Sequence, residues 1–180
     1  MKIIAFTGLP CSGKSEAVKI VKNMGINVFR MGDMVLEEVK NQKLPLDDKH
    51  VGAIADQMRK KFGMDIWAKK TIDRISRYKK LKYIVIDGVR NIEEIETFKK
   101  KLGKDFVLIA IVASDKIRQE RFLKRGREDD SKDVRDLKER DKRELNWGLG
   151  CVIALADIVI PNEKSLKDFK KEIEKIFDKM

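Results

Sequence analysis

The chain has 180 residues, 42% hydrophobic and 39% charged, with 41 basic against 30 acidic side chains and a net charge of +11. That length fits one domain with a sizeable core, and no apolar run nears the ~20 residues that cross a bilayer, which argues against a membrane protein. Two cysteines cannot build a disulfide framework and no leader-like segment precedes the first apolar run, so the expected compartment is the cytoplasm.

Taken in chain order, Ile3-Ile4-Ala5-Phe6 reads as a buried parallel strand. It runs into Gly8-Leu9-Pro10-Cys11-Ser12-Gly13-Lys14-Ser15, a G-x-x-x-x-G-K-S loop. Behind it, Ala17, Val18, Ile20, Val21 and Met24 mark one stripe of a helix from Lys14 to Met24. Strand, glycine loop and helix together form a phosphate cradle: backbone N–H groups curl round a polyphosphate at the positive end of the helix. Gly8, Pro10, Cys11, Ser12, Gly13, Lys14 and Ser15 are therefore expected to bind ATP. In such a loop Lys14 reaches the β and γ phosphates, and Ser15 ligates Mg²⁺. Cys11 reads as a tolerated small side chain, not a redox switch.

A second strand is expected over Ile26–Arg30, followed by Gly32 and Asp33. Asp33 is placed either to serve the acceptor, as general base or through Mg²⁺, or to cap a helix over Met34–Lys40. A helical insertion then spans roughly Asp33 to Lys80 and reads as an acceptor-binding arm. Within it Val51, Ile54, Ala55, Met58 and Phe62 follow helical spacing. Arg59, one step round, reads either as a ligand for an acceptor phosphate or as a surface arginine. His50 is the only histidine and has no partner for a triad or a metal site, so it is expected to face solvent.

Tyr83–Asp87 (YIVID) is the third strand, and it leads into Gly88-Val89-Arg90. An aspartate at the end of such a strand emerges beside the triphosphate, where it holds Mg²⁺ or its waters. Arg90 projects from the same end toward an anionic acceptor, with a donor fork suited to phosphate. Asn91 and Glu94 read as a capping box for a helix with Ile92, Ile95, Phe98 and Leu102 inward. Phe106–Val112 is the fourth strand. Arg118, Arg121, Arg125, Arg127, Arg135, Arg140 and Arg143 crowd the next stretch, and roughly Arg125 to Trp147 reads as a mobile lid. Arg121, Arg125 and Arg127 flank Gly126 and are expected to supply charge to a phosphoryl transition state. Asp141 shares a helical face with Val134, Leu137 and Leu145 and is expected to pair with an arginine. Asp157–Ile160 is the fifth strand, and Ser165 with Asp168 caps a last helix whose stripe is Leu166, Phe169, Ile173 and Ile176. Alternating strands and helices of this kind give an α/β, three-layer P-loop NTPase fold with a five-stranded parallel sheet, in one domain over residues 1–180.

With those residues in view, the chain resembles the nucleoside monophosphate kinases among P-loop proteins over nearly its whole length. Val85-Ile86-Asp87-Gly88-Val89-Arg90 is similar to the adenylate kinase strand-end signature, which implies that Asp87, Gly88 and Arg90 meet the acceptor and that Arg90 holds its phosphate. Arg121 and Arg125, with Arg127-Glu128-Asp129-Asp130, resemble the lid edges of adenylate and cytidylate kinases, where arginines clamp the moving phosphoryl group. A later lid arginine corresponds to Arg135 or Arg140. Ala156 to Asn162, with Ser165-Leu166, looks like the final strand and turn of dephospho-coenzyme A kinases, which implies a place for Asn162 near the ATP adenine. Asp33 falls where that family carries a catalytic aspartate, although His50 to Ile75 departs from its acceptor domain. The overall similarity is to an adenylate-kinase-related archaeal P-loop family.

The expected activity is therefore transfer of the ATP γ-phosphoryl group, with Mg²⁺, to a nucleotide-type acceptor such as AMP. A dephospho-coenzyme A kinase is the alternative on the same scaffold. A nucleotide-dependent factor acting in RNA or ribosome assembly is an alternative of another class, motivated by the charge of +11 but lacking an RNA-recognition signature.

Overall fold

The computed structural model describes residues 2–78, 81–103, 105–125 and 133–179, with Arg125 described by its backbone alone. Five strands are present among them: β1 (Lys2–Thr7), β2 (Asn27–Arg30), β3 (Tyr83–Asp87), β4 (Phe106–Val112) and β5 (Ile158–Pro161). All pair in parallel, in the order β2-β3-β1-β4-β5. A sheet covered on both faces needs apolar residues at every position of its central strands, and β1, β3 and β4 supply them. Ile3, Ala5, Ile84, Ile86 and Leu108 face one layer, while Ile4, Phe6, Val85, Ile109 and Ile111 face the other.

The second face is covered by α1 (Lys14–Asn23) and α9 (Leu166–Asp178), through Ala17, Val18, Val21, Phe169 and Ile173. On the first face lie α2 (Met31–Asn41), α3 (Asp48–Phe62), α4 (Ile66–Ile75), α5 (Ile92–Leu102) and α8 (Leu149–Ala154). Trp67, the largest fully buried side chain there, donates its indole N–H to Ala55 O at 3.2 Å and so ties α4 to α3. The helices α6 (Asp115–Arg125) and α7 (Val134–Asn146) complete the chain. No helix among the described residues is long and apolar enough to cross a membrane.

Several boundaries differ from the sequence reading. Ile26 still donates its N–H back to Val21 O, so β2 begins one residue later, at Asn27. Asp157 precedes β5 because its carboxylate accepts the Leu108 N–H at 2.7 Å and breaks the ladder there. The helix expected from Met34 begins at Met31 with Arg30 as its cap, which places Asp33 inside the first turn and removes the capping role considered for it. Phe62, at the last position of α3, and Leu166, at the first of α9, stay exposed despite their spacing. A helix end overhangs the layer that its middle covers.

Candidate functional site

Parallel strands bring all their carboxyl ends to one edge of the sheet, and the crevice there is where open α/β sheets bind ligands. At that edge β1 delivers Gly8, β2 delivers Arg30 and Met31, β3 delivers Asp87 and Gly88, and β5 delivers Asn162. The loop from Gly8 to Gly13 needs its glycines for two reasons. Both residues have positive φ, of 142° and 117°. A Cβ on Gly8 would also stand 2.2 Å from Ile111 O, and one on Gly13 2.0 Å from Asn162 Nδ2. Cys11 takes φ 62° without being glycine, local strain that the closely held loop retains.

The loop's carbonyls are gripped from outside. Arg118 donates to Pro10 O at 3.1 Å, and Arg121 to Ser12 O at 3.1 Å and Asn162 O at 2.8 Å. Asn162 Nδ2 adds a second bond to Ser12 O at 2.9 Å. In a trans peptide the N–H points opposite its carbonyl, so fixing Pro10 O and Ser12 O outward turns the N–H groups of Cys11 and Gly13 inward. Lys14 donates its ammonium to Gly8 O and to Leu9 O, the latter at 3.0 Å. Burial lowers its pKa to about 8, against the pull of the Glu144 and Asp87 carboxylates. Asn162 and Arg121 thus sit behind the loop, with Arg121 bonded to backbone carbonyls; this differs from the lid arginine expected over the phosphoryl group.

Beside the cradle Asp87 is buried, with its Oδ2 3.4 Å from Arg30 Nε and its Oδ1 without a hydrogen-bond partner among the described residues. Asp33 is half-buried in the first turn of α2, and its side chain forms no hydrogen bond or ion pair among the described residues. Gly88, at φ 101°, lets the chain turn so that its N–H meets Phe6 O while Arg90 folds back and donates to Gly88 O at 2.7 Å. Arg90 then meets Glu144 of α7, Nε to Oε2 at 3.2 Å.

Behind Arg90 lies a buried pair. Arg59 is 3% exposed, bonded to the fully buried Glu94 at 3.0 Å and stacked over Trp147 at 4.2 Å. It is therefore not a surface arginine, and its guanidinium is committed. Glu94 also accepts the Arg90 N–H at 2.7 Å, so the capping box closes on one side only: Asn91 takes the Glu94 N–H, but the Glu94 side chain goes to arginines.

Across the mouth runs α7. Its Asp141 meets Arg118 at 2.7 Å. Arg143 meets Asp48 of α3 at 2.7 Å, and Arg140 is shared between Asp48 at 3.5 Å and Glu144 at 3.2 Å. Gly52 makes this approach of α3 and α7 possible, since a Cβ there would stand 2.6 Å from the Arg143 guanidinium carbon. Between these helices an open groove of about 1110 Å³ is lined by Asp48, Asp56, Arg140, Arg143 and Trp147. Arg135 points away, paired to Asp133 on the exposed side. His50 is held half-exposed by Asp47 at 2.8 Å. Gly126, Arg127, Glu128, Asp129 and Asp130, together with the Arg125 side chain, lie outside the described residues.

Glu144 is the residue that sequence reasoning missed. Burial opposes its charge, but Arg90, Arg140 and Lys14 outweigh that and hold its pKa at about 2. Its spacing from Leu137 (i, i+7) and Arg140 (i, i+4) on an inward face was the available signal.

The chain is similar to known proteins both in sequence and in fold. Residues 7–138 match the family described as AAA domain. A UPF0200 protein of Methanosarcina barkeri is 46% identical over 173 residues, covering 96% of this chain and 92% of that one. A UPF0200/UPF0201 protein of Archaeoglobus fulgidus is 43% identical over 181 residues, and this chain spans 56% of its length. Among solved structures, a Thermus thermophilus protein, TT1252, superposes with a TM-score of 0.66 at 16% identity, covering 99% of this chain and 97% of that one. Shikimate kinase from Aquifex aeolicus does so with a TM-score of 0.53 at 19% identity, covering 98% and 96%. The fold is that of the P-loop kinases, and the chain belongs to the UPF0200 family.

Proposed function

We propose that the protein is a nucleotide-dependent phosphotransferase that moves the γ-phosphoryl group of ATP to a nucleotide-type acceptor, a nucleoside monophosphate such as AMP being the reading the site supports best. The observation that carries it is the junction of two anion sites: a cradle with its N–H groups turned inward round Lys14, and Arg90 emerging three residues after Asp87 beside it. In the reaction the bond from the γ phosphorus to its bridging oxygen breaks, ADP leaves, and a new bond forms to an oxygen of the acceptor phosphate. That oxygen is already anionic, so no general base is required.

Gly8, Pro10, Cys11, Ser12, Gly13, Lys14 and Ser15 bind the donor phosphates. Arg118, Arg121 and Asn162 position the loop from behind, and Arg90 docks the acceptor phosphate. Arg59 positions Arg90 through Glu94. Arg125 and Arg127 remain assigned to the phosphoryl group by resemblance to kinase lids, and the cytoplasm remains the expected compartment. The buried Asp87 Oδ1, without a hydrogen-bond partner among the described residues, and the Ser15 hydroxyl in the first turn of α1 fit Mg²⁺, which takes few protein ligands and keeps waters and substrate phosphates. When bound, that ion would offset charge on the transferring phosphates.

Asp33, half-buried in the first turn of α2 with no side-chain partner among the described residues, favours a second reading. With a hydroxyl acceptor, as in a dephospho-coenzyme A kinase, its carboxylate would take the hydroxyl proton. ADP release measured with MgATP against AMP, CMP, UMP, GMP, their deoxy forms and dephospho-coenzyme A tests both. Turnover on a monophosphate that survives Asp33→Asn supports the first reading. Turnover on dephospho-coenzyme A that falls about 10²–10⁴-fold in that variant supports the second. Slow hydrolysis indifferent to every acceptor overturns both.

A further inference from the structure

A buried carboxylate inside an anion site is costly unless it has work there. The cations and anions round the site pair off unevenly: Asp87 with Arg30, Glu94 with Arg59, and Asp48 with Arg143 and, at 3.5 Å, with Arg140. Glu144 is the carboxylate that Arg90 meets and that Arg140 shares with Asp48, and Lys14 is close enough to act on its charge. Glu144 is 4% exposed; its Oε1 accepts from Arg140 Nε, and its Oε2 stands 3.2 Å from Arg90 Nε, whose buried N–H makes no hydrogen bond among the described residues. A phosphate, with more acceptor oxygens than a carboxylate, can accept from both guanidinium groups at once.

We propose that Glu144 is the site's own anion, holding in the substrate-free protein the place between Arg90 and Arg140 that the acceptor's phosphomonoester takes in the complex. The inference rests on the assignment of Arg90 to the acceptor phosphate. A carboxylate left in place would repel an incoming phosphate across a medium of low dielectric. A dianion that displaces it neutralises the three cations better than one carboxylate does. A monoanion, such as a phosphodiester or another carboxylate, exchanges one negative charge for another and gains nothing. The helix need not leave for Glu144 to swing out, because the buried Leu137 and the pairs Asp141–Arg118 and Arg143–Asp48 still hold it.

Nuclear magnetic resonance of the arginine Nε–Hε groups tests this directly, with methyl phosphate as the dianion and dimethyl phosphate as the monoanion, at about pH 7.2, where Lys14 keeps its proton. In the wild-type protein, methyl phosphate is expected to move the Arg90 and Arg140 signals and to bind at least tenfold more tightly than dimethyl phosphate. In Glu144→Gln, both esters bind about tenfold more tightly than in the wild type. Glu172→Gln, which changes net charge equally from an exposed position on α9, leaves both values unchanged. Weaker methyl phosphate binding in Glu144→Gln, or an equal effect of Glu172→Gln, overturns the proposal. If Glu144→Gln does not fold, the wild-type protein decides alone: equal binding of the two esters, or binding of neither, overturns it. MgATP binding on the same samples separates the two claims, since its loss sinks the kinase reading and its retention with equal ester binding sinks only this one.

Discussion

At the scale of single residues, the site is a set of charges whose burial sets their behaviour. Lys14→Ala removes the ammonium from the cradle and is expected to abolish turnover with MgATP while the circular dichroism spectrum stays native. With a free-protein pKa of about 8, Lys14 loses its proton as pH rises past that value. The dissociation constant for ATP should therefore be flat from about pH 6 to 7.5 and rise above 8, as calorimetric titration over that range would show. Glu144 behaves oppositely in sign. Its folded pKa of about 2 lies below the ordinary 4.5, so it stabilises the fold at every pH above the unfolded value. That contribution, roughly 3 kcal/mol, is lost as pH falls from about 4.5 toward 2. Urea unfolding at a series of acid pH values should show the wild type losing this much more stability than Glu144→Gln. The buried Arg59–Glu94 pair is a matter of folding more than of chemistry. Glu94→Gln leaves a buried guanidinium without its charge partner and should cost about 3–5 kcal/mol, read from the same unfolding curves.

At the scale of elements, α3 and α7 form the walls of the open groove and are joined across it by ion pairs instead of a shared apolar seam. Asp48 sits at the start of α3 and takes both Arg140 and Arg143, while Gly52 leaves room for the second. Asp48→Asn should therefore loosen α7 without unfolding the sheet. Hydrogen exchange is the readout: amides over 134–146 should exchange faster, while those of β1, β3 and β4 keep their protection. Equal acceleration in the sheet would show that the clasp supports the whole fold instead. The element scale also explains why the arginine-rich stretch divides as it does. Arg118 and Arg121 belong to α6 and face the glycine loop, whereas Arg140 and Arg143 belong to α7 and face Asp48 of α3. Helical spacing alone shows which arginines share a face, but not which neighbour that face meets.

At the scale of the whole molecule, one sheet edge gathers groups from residue 8 to residue 162, and the order of strands decides which of them meet. The central position of β1 follows from its continuous apolar run, and the same reasoning identified β3 and β4. The places of the glycine loop, Asp87 and Arg90 at the sheet edge were legible because their signals are local: a glycine loop between strand and helix, and a carboxylate at a strand end three residues before an arginine. The sequence by itself thus determined the sheet, the loop at its edge and the family resemblance. Tertiary structure alone decided that Arg121 and Asn162 grip the loop from behind, that Arg59 is buried on Glu94 and that Glu144 lies between Arg90 and Arg140. The physical reason is range. Strand and helix formation, caps and phosphate loops depend on residues a few positions apart, whereas a buried charge survives only beside partners that folding brings from 35 or 54 positions away, as for Arg59 with Glu94 and Arg90 with Glu144.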